Sequence, residues 1–178
     1  TWLEANCPAE MREPVRDEGD VCWGGRNFQF KNAAQKAWLE ACVATGYTVP
    51  DWPKAYGGGG LSTDEVIVLL QEMKAISARP ALSSFGTSMI GPTLLEYGTE
   101  EQKQKWLPQL ASADTLPTAV FTEPNTGSDL GALRTRAVKD GNGDYRVTGN
   151  KTWITHATRT QIMTLLARTD PETDNYKG

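Results

Sequence analysis

Residues Ala119–Leu133, A-V-F-T-E-P-N-T-G-S-D-L-G-A-L, mark the change of grammar on which the fold turns. An apolar run ends at Thr122-Glu123-Pro124, turns through Asn125-Thr126-Gly127, and presents Ser128 and Asp129 before apolar residues resume. Further along, Lys151-Thr152-Trp153-Ile154-Thr155 alternates in the manner of a strand. Upstream of this pair the chain reads as helix, and downstream it reads as sheet. Both segments set hydroxyls and an aromatic surface beside strand backbone, which suits a planar ligand with a polar edge. A competing reading is a turn whose Asn125, Ser128 and Asp129 satisfy their own backbone, with Trp153 packed on a sheet.

At 178 residues the chain has room for one ordinary domain, or one and a part. It starts at Thr1, and the turn-like Asn175-Tyr176-Lys177-Gly178 follows a strand-like run, so the expectation is a fragment with a clipped first helix and an unfinished sheet. The formal charge of -4 gives no footing for a nucleic-acid or anionic-membrane surface. Val66–Leu70, the longest apolar run, is far too short to span a bilayer, and no signal-peptide pattern is present. Cys7, Cys22 and Cys42 are odd in number and lack metal-type spacing. A disulfide between two of them stays open, and reduced cytosolic thiols are the expectation. With His156 as the single histidine, a site built on several imidazoles is excluded within this chain, and no metal is expected.

Thr1–Asn6 reads as the last turn of a helix stopped by Cys7-Pro8. Met11–Gln29, with Pro14, Gly19, Gly24 and Gly25 among charges, reads as a long surface connection tacked down by Trp23 and Phe28. A helix is predicted from Asn32, its N-cap, to Thr45, with Ala34, Ala37, Trp38, Ala41 and Cys42 inward and Gly46 as terminator. Val49–Pro53 reads as a rigid turn and Gly57–Gly60 as a flexible one. No strand precedes these glycines and no P-loop lysine follows, so they are not a phosphate fingerprint.

Ser62-Thr63-Asp64-Glu65 is a capping box opening a helix with apolar residues on nearly every side, read as central and buried. Phe85–Tyr97 reads as a helix kinked at Gly91-Pro92, with Met89, Ile90, Leu94 and Leu95 inward. Thr99-Glu100-Glu101-Gln102 repeats the capping box, and Trp106, Leu107 and Leu110 form the packing side of the helix it opens. Strands are predicted at Leu116–Phe121, Arg136–Lys139, Tyr145–Thr148, Lys151–Ile154 and Ile162–Ala167, with a hairpin at Asp140-Gly141-Asn142-Gly143. Helices followed by antiparallel strands give an α+β class: an all-α domain at residues 1–115, then an incomplete antiparallel β-domain at residues 116–178.

Several stretches, in order, resemble the acyl-CoA dehydrogenase family. Y-G-T-E-E-Q-K-Q-K-W-L-P (Tyr97–Pro108) resembles the helix before that family's sheet domain. F-T-E-P-N-T-G-S-D-L (Phe121–Leu130) resembles its first flavin-contact loop, with Asn125-Thr126-Gly127 where Gly-Ala-Gly is usual. V-T-G-N-K-T-W-I-T (Val147–Thr155) resembles its second, with Asn150 where Gln is frequent. D-W-P-K-A-Y-G-G-G-G-L-S (Asp51–Ser62) resembles its early loop into a buried helix. Ordered matches of this kind weigh far more than one short motif.

The resemblance implies FAD as cofactor and a fragment of an enzyme that oxidises an acyl-CoA thioester to the 2,3-enoyl-CoA. By that resemblance Phe121 offers its backbone and Thr122 its hydroxyl to the polar edge of the isoalloxazine. Thr155 approaches N5, Trp153 covers one ring face, and Ile154 lies between them. Ser128 meets the thioester arm or its phosphate region, while Met89 and Ile90 face the acyl chain. Glu123 and Asp129 shape the loop, and His156 packs it. The proton-removing glutamate is expected in a C-terminal helical domain outside this chain, so no catalytic residue is assigned here. Electron-transferring flavoprotein is the implied acceptor and a homotetramer the implied assembly, in bacterial cytoplasm or the mitochondrial matrix. An acyl-CoA oxidase or a flavin monooxygenase of the same fold, or a non-catalytic helical binding module, remains as an alternative. Asn125-Thr126 and T-W-I-T-H-A-T-R (Thr152–Arg159) resemble the branch acting on short branched or dicarboxylic thioesters such as methylsuccinyl-CoA. There Arg159 or His156 would answer a second carboxylate; surface roles compete for both.

Overall fold

The computed structural model describes residues 1–170, Glu172 and Thr173; the turn expected at Asn175–Gly178 lies outside the described residues. The chain forms two compact units, Thr1–Pro117 and the residues from Thr118 onward.

In the first unit, α1 (Trp2–Asn6) ends at Cys7, whose extended backbone leads into Pro8. α2 (Ala33–Thr45) starts where Asn32 accepts from the Gln35 amide and stops at left-handed Gly46. Its inward stripe is Gln35, Trp38, Leu39 and Cys42, while Ala37, expected inside, is exposed. Gln35 goes in because its amide is satisfied there, donating to Gly19 O at 3.0 Å and accepting from Lys31 N at 2.9 Å. The connection is exposed from Glu13 to Gly19, as expected, with Phe28 packed against the core, and Met11 and Cys22 within that core. Its clasp is Asp20, which meets Lys31 at 2.9 Å, Arg79 at 3.1 Å and the Arg16 amide at 2.8 Å. The Arg16 amide, then Lys31 and Arg79, hold the Asp20 carboxyl well below the ordinary range. The three cysteines carry free, buried thiols, and burial pushes Cys22 up to about 11 and Cys42 up to about 12.

Gly57–Gly60 is a close-packed corner rather than a flexible turn. A Cβ on Gly58 would lie 2.2 Å from Trp52 O, and one on Gly46 would lie 2.3 Å from the Gly58 carbonyl carbon. Both neighbours are backbone and cannot swing aside. Gly58→Ala is therefore expected to cost about 1–3 kcal/mol by overpacking, read as a lower midpoint in urea. An unchanged midpoint would show that the corner yields.

α3 (Thr63–Ala75) opens with the Ser62–Glu65 capping box, but only Leu69 is buried along it. Ile67, Val68 and Leu70 are 47%, 56% and 57% exposed, so this is not the central helix that its composition predicts. Apolar residues around a helix state what it is able to bury, and here the first unit covers one line of them. The segment expected to kink at Gly91-Pro92 begins as a π-turn, Gly86–Ile90, and continues as α4 (Gly91–Tyr97). A π-turn relieves the backbone that proline cannot bond. Ile90 is buried with Val49, Trp52, Leu107, Leu110 and Ala111, whereas Met89, expected inward, is exposed. α5 (Glu100–Ala111) starts with the Thr99–Gln102 capping box.

In the second unit, β1 (Pro117–Val120) pairs with β4 (Ile162–Leu165), both shorter than predicted. β2 (Arg136–Lys139) and β3 (Tyr145–Thr148) form an antiparallel hairpin with Arg136 opposite Thr148 and Lys139 opposite Tyr145. Its turn is the predicted one: Asp140 accepts from Asn142 N and Asp144 N, and Gly143 is left-handed. Lys151–Ile154 is not a strand. Trp153 and His156 adopt φ of 56° and 58°, which no ladder tolerates. Among the described residues no helix is long and apolar enough to cross a membrane.

Candidate functional site: a pinned loop beside the first strand

The two segments singled out in the sequence meet within the second unit. Three contacts pin the 149–156 loop to the strand end: Lys151 Nζ donates to Phe121 O at 2.8 Å, Thr152 N donates to Thr122 O at 3.0 Å, and the buried Thr118 hydroxyl donates to Thr155 O. Gly149 brings the loop in, because a Cβ there would lie 2.2 Å from Thr135 Oγ1. Two left-handed residues then turn the loop outward, and the Trp153 side chain stands 89% exposed. Leaving an indole in water forfeits about 2 kcal/mol or more of burial energy. The backbone is thus shaped, at some cost, to present a bare aromatic face one residue from the Thr152–Thr122 contact.

A buried ion pair holds this arrangement. Glu123 is 6% exposed, and its carboxylate accepts from Arg134 N at 2.7 Å and Thr135 N at 2.8 Å and pairs with Lys151 Nζ at 3.1 Å. Burial raises the affinity of Glu123 for a proton, but the Thr135 hydroxyl, the two amides and Lys151 together outweigh it and hold the carboxyl at about 2. The neighbouring turn closes on itself, Glu123 N to Thr126 O at 2.9 Å and Thr126 N to Glu123 O at 3.1 Å. Beyond it Ser128 and Asp129 are exposed, and the position of a Gly127 Cβ has no neighbour within 4 Å. Arg159 Nε donates to His156 Nδ1 at 2.9 Å.

Phe121, Thr122, Trp153, Ile154 and Thr155 therefore lie together, with Ser128 on the loop that follows; Met89 and Ile90 belong to the helical unit. The sequence reading passed over Lys151, Thr118 and Arg168. Lys151 was visible as a charge inside an apparent strand, where an ammonium needs a reason to be. Arg168 is 9% exposed and donates to the carbonyls of Leu133, Gly131 and Thr173, pegging the segment before β2. In the helical unit, α1 and α3 border an apolar groove of about 520 Å³ whose rim carries Asp64, Glu65 and Glu72, and nothing in the sequence reading pointed to it.

A helical unit followed by a sheet unit gives the class of fold, and comparison with known proteins fixes the family. Residues 11–114 match the model for "Acyl-CoA dehydrogenase, N-terminal domain" and residues 118–178 that for "Acyl-CoA dehydrogenase, middle domain". The chain belongs to the acyl-CoA dehydrogenase family. It is 54% identical over 142 residues to (2S)-methylsuccinyl-CoA dehydrogenase of Cereibacter sphaeroides, a match covering 79% of this chain and 25% of that protein. Among solved structures it is similar to the Tcur3481-Tcur3483 steroid ACAD, with a TM-score of 0.67, 34% identity, and coverage of 97% of this chain and 41% of that one. A glutaryl-CoA dehydrogenase from Mycobacterium smegmatis in complex with FADH2 is similar with a TM-score of 0.56 and 31% identity, over 74% of this chain and 35% of that one. The α+β class and the family expected from the sequence both hold. The match spans 25% of the length of the methylsuccinyl-CoA enzyme and 37% of a mycobacterial acyl-CoA dehydrogenase.

Proposed function

We propose that this chain forms the helical domain (residues 1–115) and part of the β-domain (residues 116–178) of an FAD-dependent acyl-CoA dehydrogenase. The parent enzyme oxidises a thioester to the 2,3-enoyl-CoA and passes electrons to electron-transferring flavoprotein, as a homo-oligomer. The single observation that carries the reading is the pinned loop, which holds the exposed Trp153 next to Thr152, itself bonded to Thr122 just after β1. A flat aromatic face next to strand-edge polar groups fits an isoalloxazine, which has a stacking surface and a hydrogen-bonding rim. The FADH2 complex of the glutaryl-CoA enzyme gives independent support for the cofactor.

When bound, FAD supplies the two-electron acceptor for the hydrogen leaving the β-carbon. Phe121 and Thr122 would hold its polar edge, Thr155 and Ile154 would line the cofactor beside them, and Trp153 would cover one face against water. Ser128, on its open loop, donates to the thioester arm. Met89 and Ile90 contribute to the acyl-chain wall, Ile90 from within the core that backs it. Glu123 is no candidate for removing the α-proton. Held ionised at about 2, it is a far weaker base than one poised near the working pH. The base is assigned to the portion of the family fold outside this match. The similarity to the methylsuccinyl-CoA enzyme supports a short branched or dicarboxylic thioester, with Arg159 or its hydrogen-bond partner His156 to answer a second carboxylate.

FAD titration onto the purified chain, followed by flavin fluorescence, tests the reading. Weak binding without turnover is expected, and Trp153→Ala weakens it about tenfold, the equivalent of one lost ring-stacking contact. Equal affinity in both proteins would remove the flavin from this loop, and substrate turnover by the chain alone would overturn the assignment of the base.

A further inference from the structure

We infer that the hollow between Arg134, Arg136 and Arg168 is a seat for a phosphate group. Alternation along the extended segment into β2 turns Thr135 and Ala137 inward and leaves Arg134 and Arg136 exposed on the same side. The β2–β3 register fixes Arg136 opposite Thr148, and the Glu123 carboxylate grips the amide of Arg134, so the backbone under both guanidinium groups is firmly placed. Arg168 forms the floor, held by the carbonyls of Leu133, Gly131 and Thr173. Together with Gly131, Ala132, Leu133 and Thr173 these arginines line about 200 Å³, and among the described residues no carboxylate lines the space.

Two guanidinium groups two residues apart on one side of an extended segment repel each other, and among the described residues neither Arg134 nor Arg136 is in an ion pair. The carboxylates close to the hollow are committed elsewhere: Glu123 to Lys151 and two amides, and Asp170, which feels the Arg168 charge, to the Thr173 hydroxyl and the Glu172 amide. An anion is what this geometry lacks. Guanidinium forks match phosphate oxygens in pairs. A volume below the usual range of about 300–1,000 Å³ for small-molecule pockets takes one group of a ligand rather than a whole nucleoside. Two sources share that chemistry: free inorganic phosphate, and the ribose 3′-phosphate of coenzyme A. The second source rests on the acyl-CoA reading above, and the first does not.

Amide-resolved NMR titration of the full chain with inorganic phosphate, coenzyme A and 3′-dephospho-coenzyme A tests the seat without FAD. Inorganic phosphate is expected to give saturable shifts at Arg134 and Arg136. The Arg134→Gln/Arg136→Gln variant should bind at least about tenfold more weakly, as loss of a charge-assisted hydrogen bond requires. Lys139→Gln, outside the hollow, should bind like the parent. Coenzyme A binding about tenfold more tightly than its dephospho form assigns the seat to the thioester's 3′-phosphate; equal binding of the two assigns it to free phosphate and overturns the coenzyme A source. Absence of saturation with phosphate, or equal losses in the Lys139 and arginine variants, would overturn the seat itself. A negative FAD titration leaves this result standing, so the two readings fail separately.

Discussion

Glu123→Ala is expected to destabilise the sheet unit by about 3–5 kcal/mol, the cost of breaking a buried ion pair from one side. The variant leaves Lys151, whose side chain is 10% exposed, with the Phe121 carbonyl as its acceptor, and removes the acceptor from the amides of Arg134 and Thr135. Native-state hydrogen exchange reads this locally: protection should fall at Arg134, Thr135 and across the β2–β3 hairpin, and stay unchanged in the helical unit. Glu123→Gln/Lys151→Met, which removes both charges and keeps volume, should be closer to the parent than Glu123→Ala is. Loss of less than about 1 kcal/mol in the alanine variant, the range of an exposed pair, would show that the pair is not holding the loop.

The same carboxylate sets a pH dependence with a definite sign. Its folded-state pKa is depressed, from 4.5 to about 2, so its stabilisation is fully present above 4.5 and is lost as pH falls through about 2. The displacement corresponds to about 3 kcal/mol at 1.36 kcal/mol per pH unit. Acid should therefore loosen the sheet unit between roughly pH 4.5 and 2, and Glu123→Gln should lack that component. Since Lys151 bridges Glu123 and Phe121, the Trp153 loop should loosen over the same window.

What was legible in the sequence was what local chemistry decides. The Ser62–Glu65 and Thr99–Gln102 boxes, the Asn32 cap and the Gly46 terminator are closed by groups three or four residues apart, so the pattern contains the answer. The hairpin at Asp140–Gly143 is likewise settled within its own turn. What failed was decided at a distance. Lys151-Thr152-Trp153-Ile154-Thr155 has a strand's alternation, yet contacts to Phe121, Thr122 and Thr118 hold it as a loop. α3 was read as buried because composition gives the capacity for burial and not the partner. The tight corner at Gly58 was read as flexible because glycine permits both freedom and close approach, and only Trp52 decides between them. At the candidate site, the residues at the strand end and on the loop were reached by resemblance to a family. The pair that clamps them, Glu123 with Lys151, needed the fold, since nothing in the spacing of two residues so far apart announces a contact.

Trp38→Ala should be the most damaging change in the helical unit, costing about 3–5 kcal/mol. The side chain is fully buried and packs among Leu3, Cys7, Met11, Cys22, Leu39 and Cys42, with Trp2 at a ring separation of 5.9 Å. It also carries a tether, since its Nε1 donates to Arg79 O at 2.9 Å. Arg79 in turn reaches Asp20 at 3.1 Å and Glu10 O at 2.6 Å, so the indole anchors the residue that clasps the otherwise irregular connection before α2. Trp38→Phe separates the two roles. It retains most of the ring volume and loses the donor, so a cost of about 1–3 kcal/mol is expected from the stranded carbonyl and the smaller ring. If alanine and phenylalanine cost the same in urea denaturation, the hydrogen bond to Arg79 rather than the packing would dominate, and the connection from Met11 to Gln29 would depend on one donor. If packing dominates, the phenylalanine variant keeps most of its protection at Met11 and Cys22 while the alanine variant loses it, because those residues share the core that the ring fills.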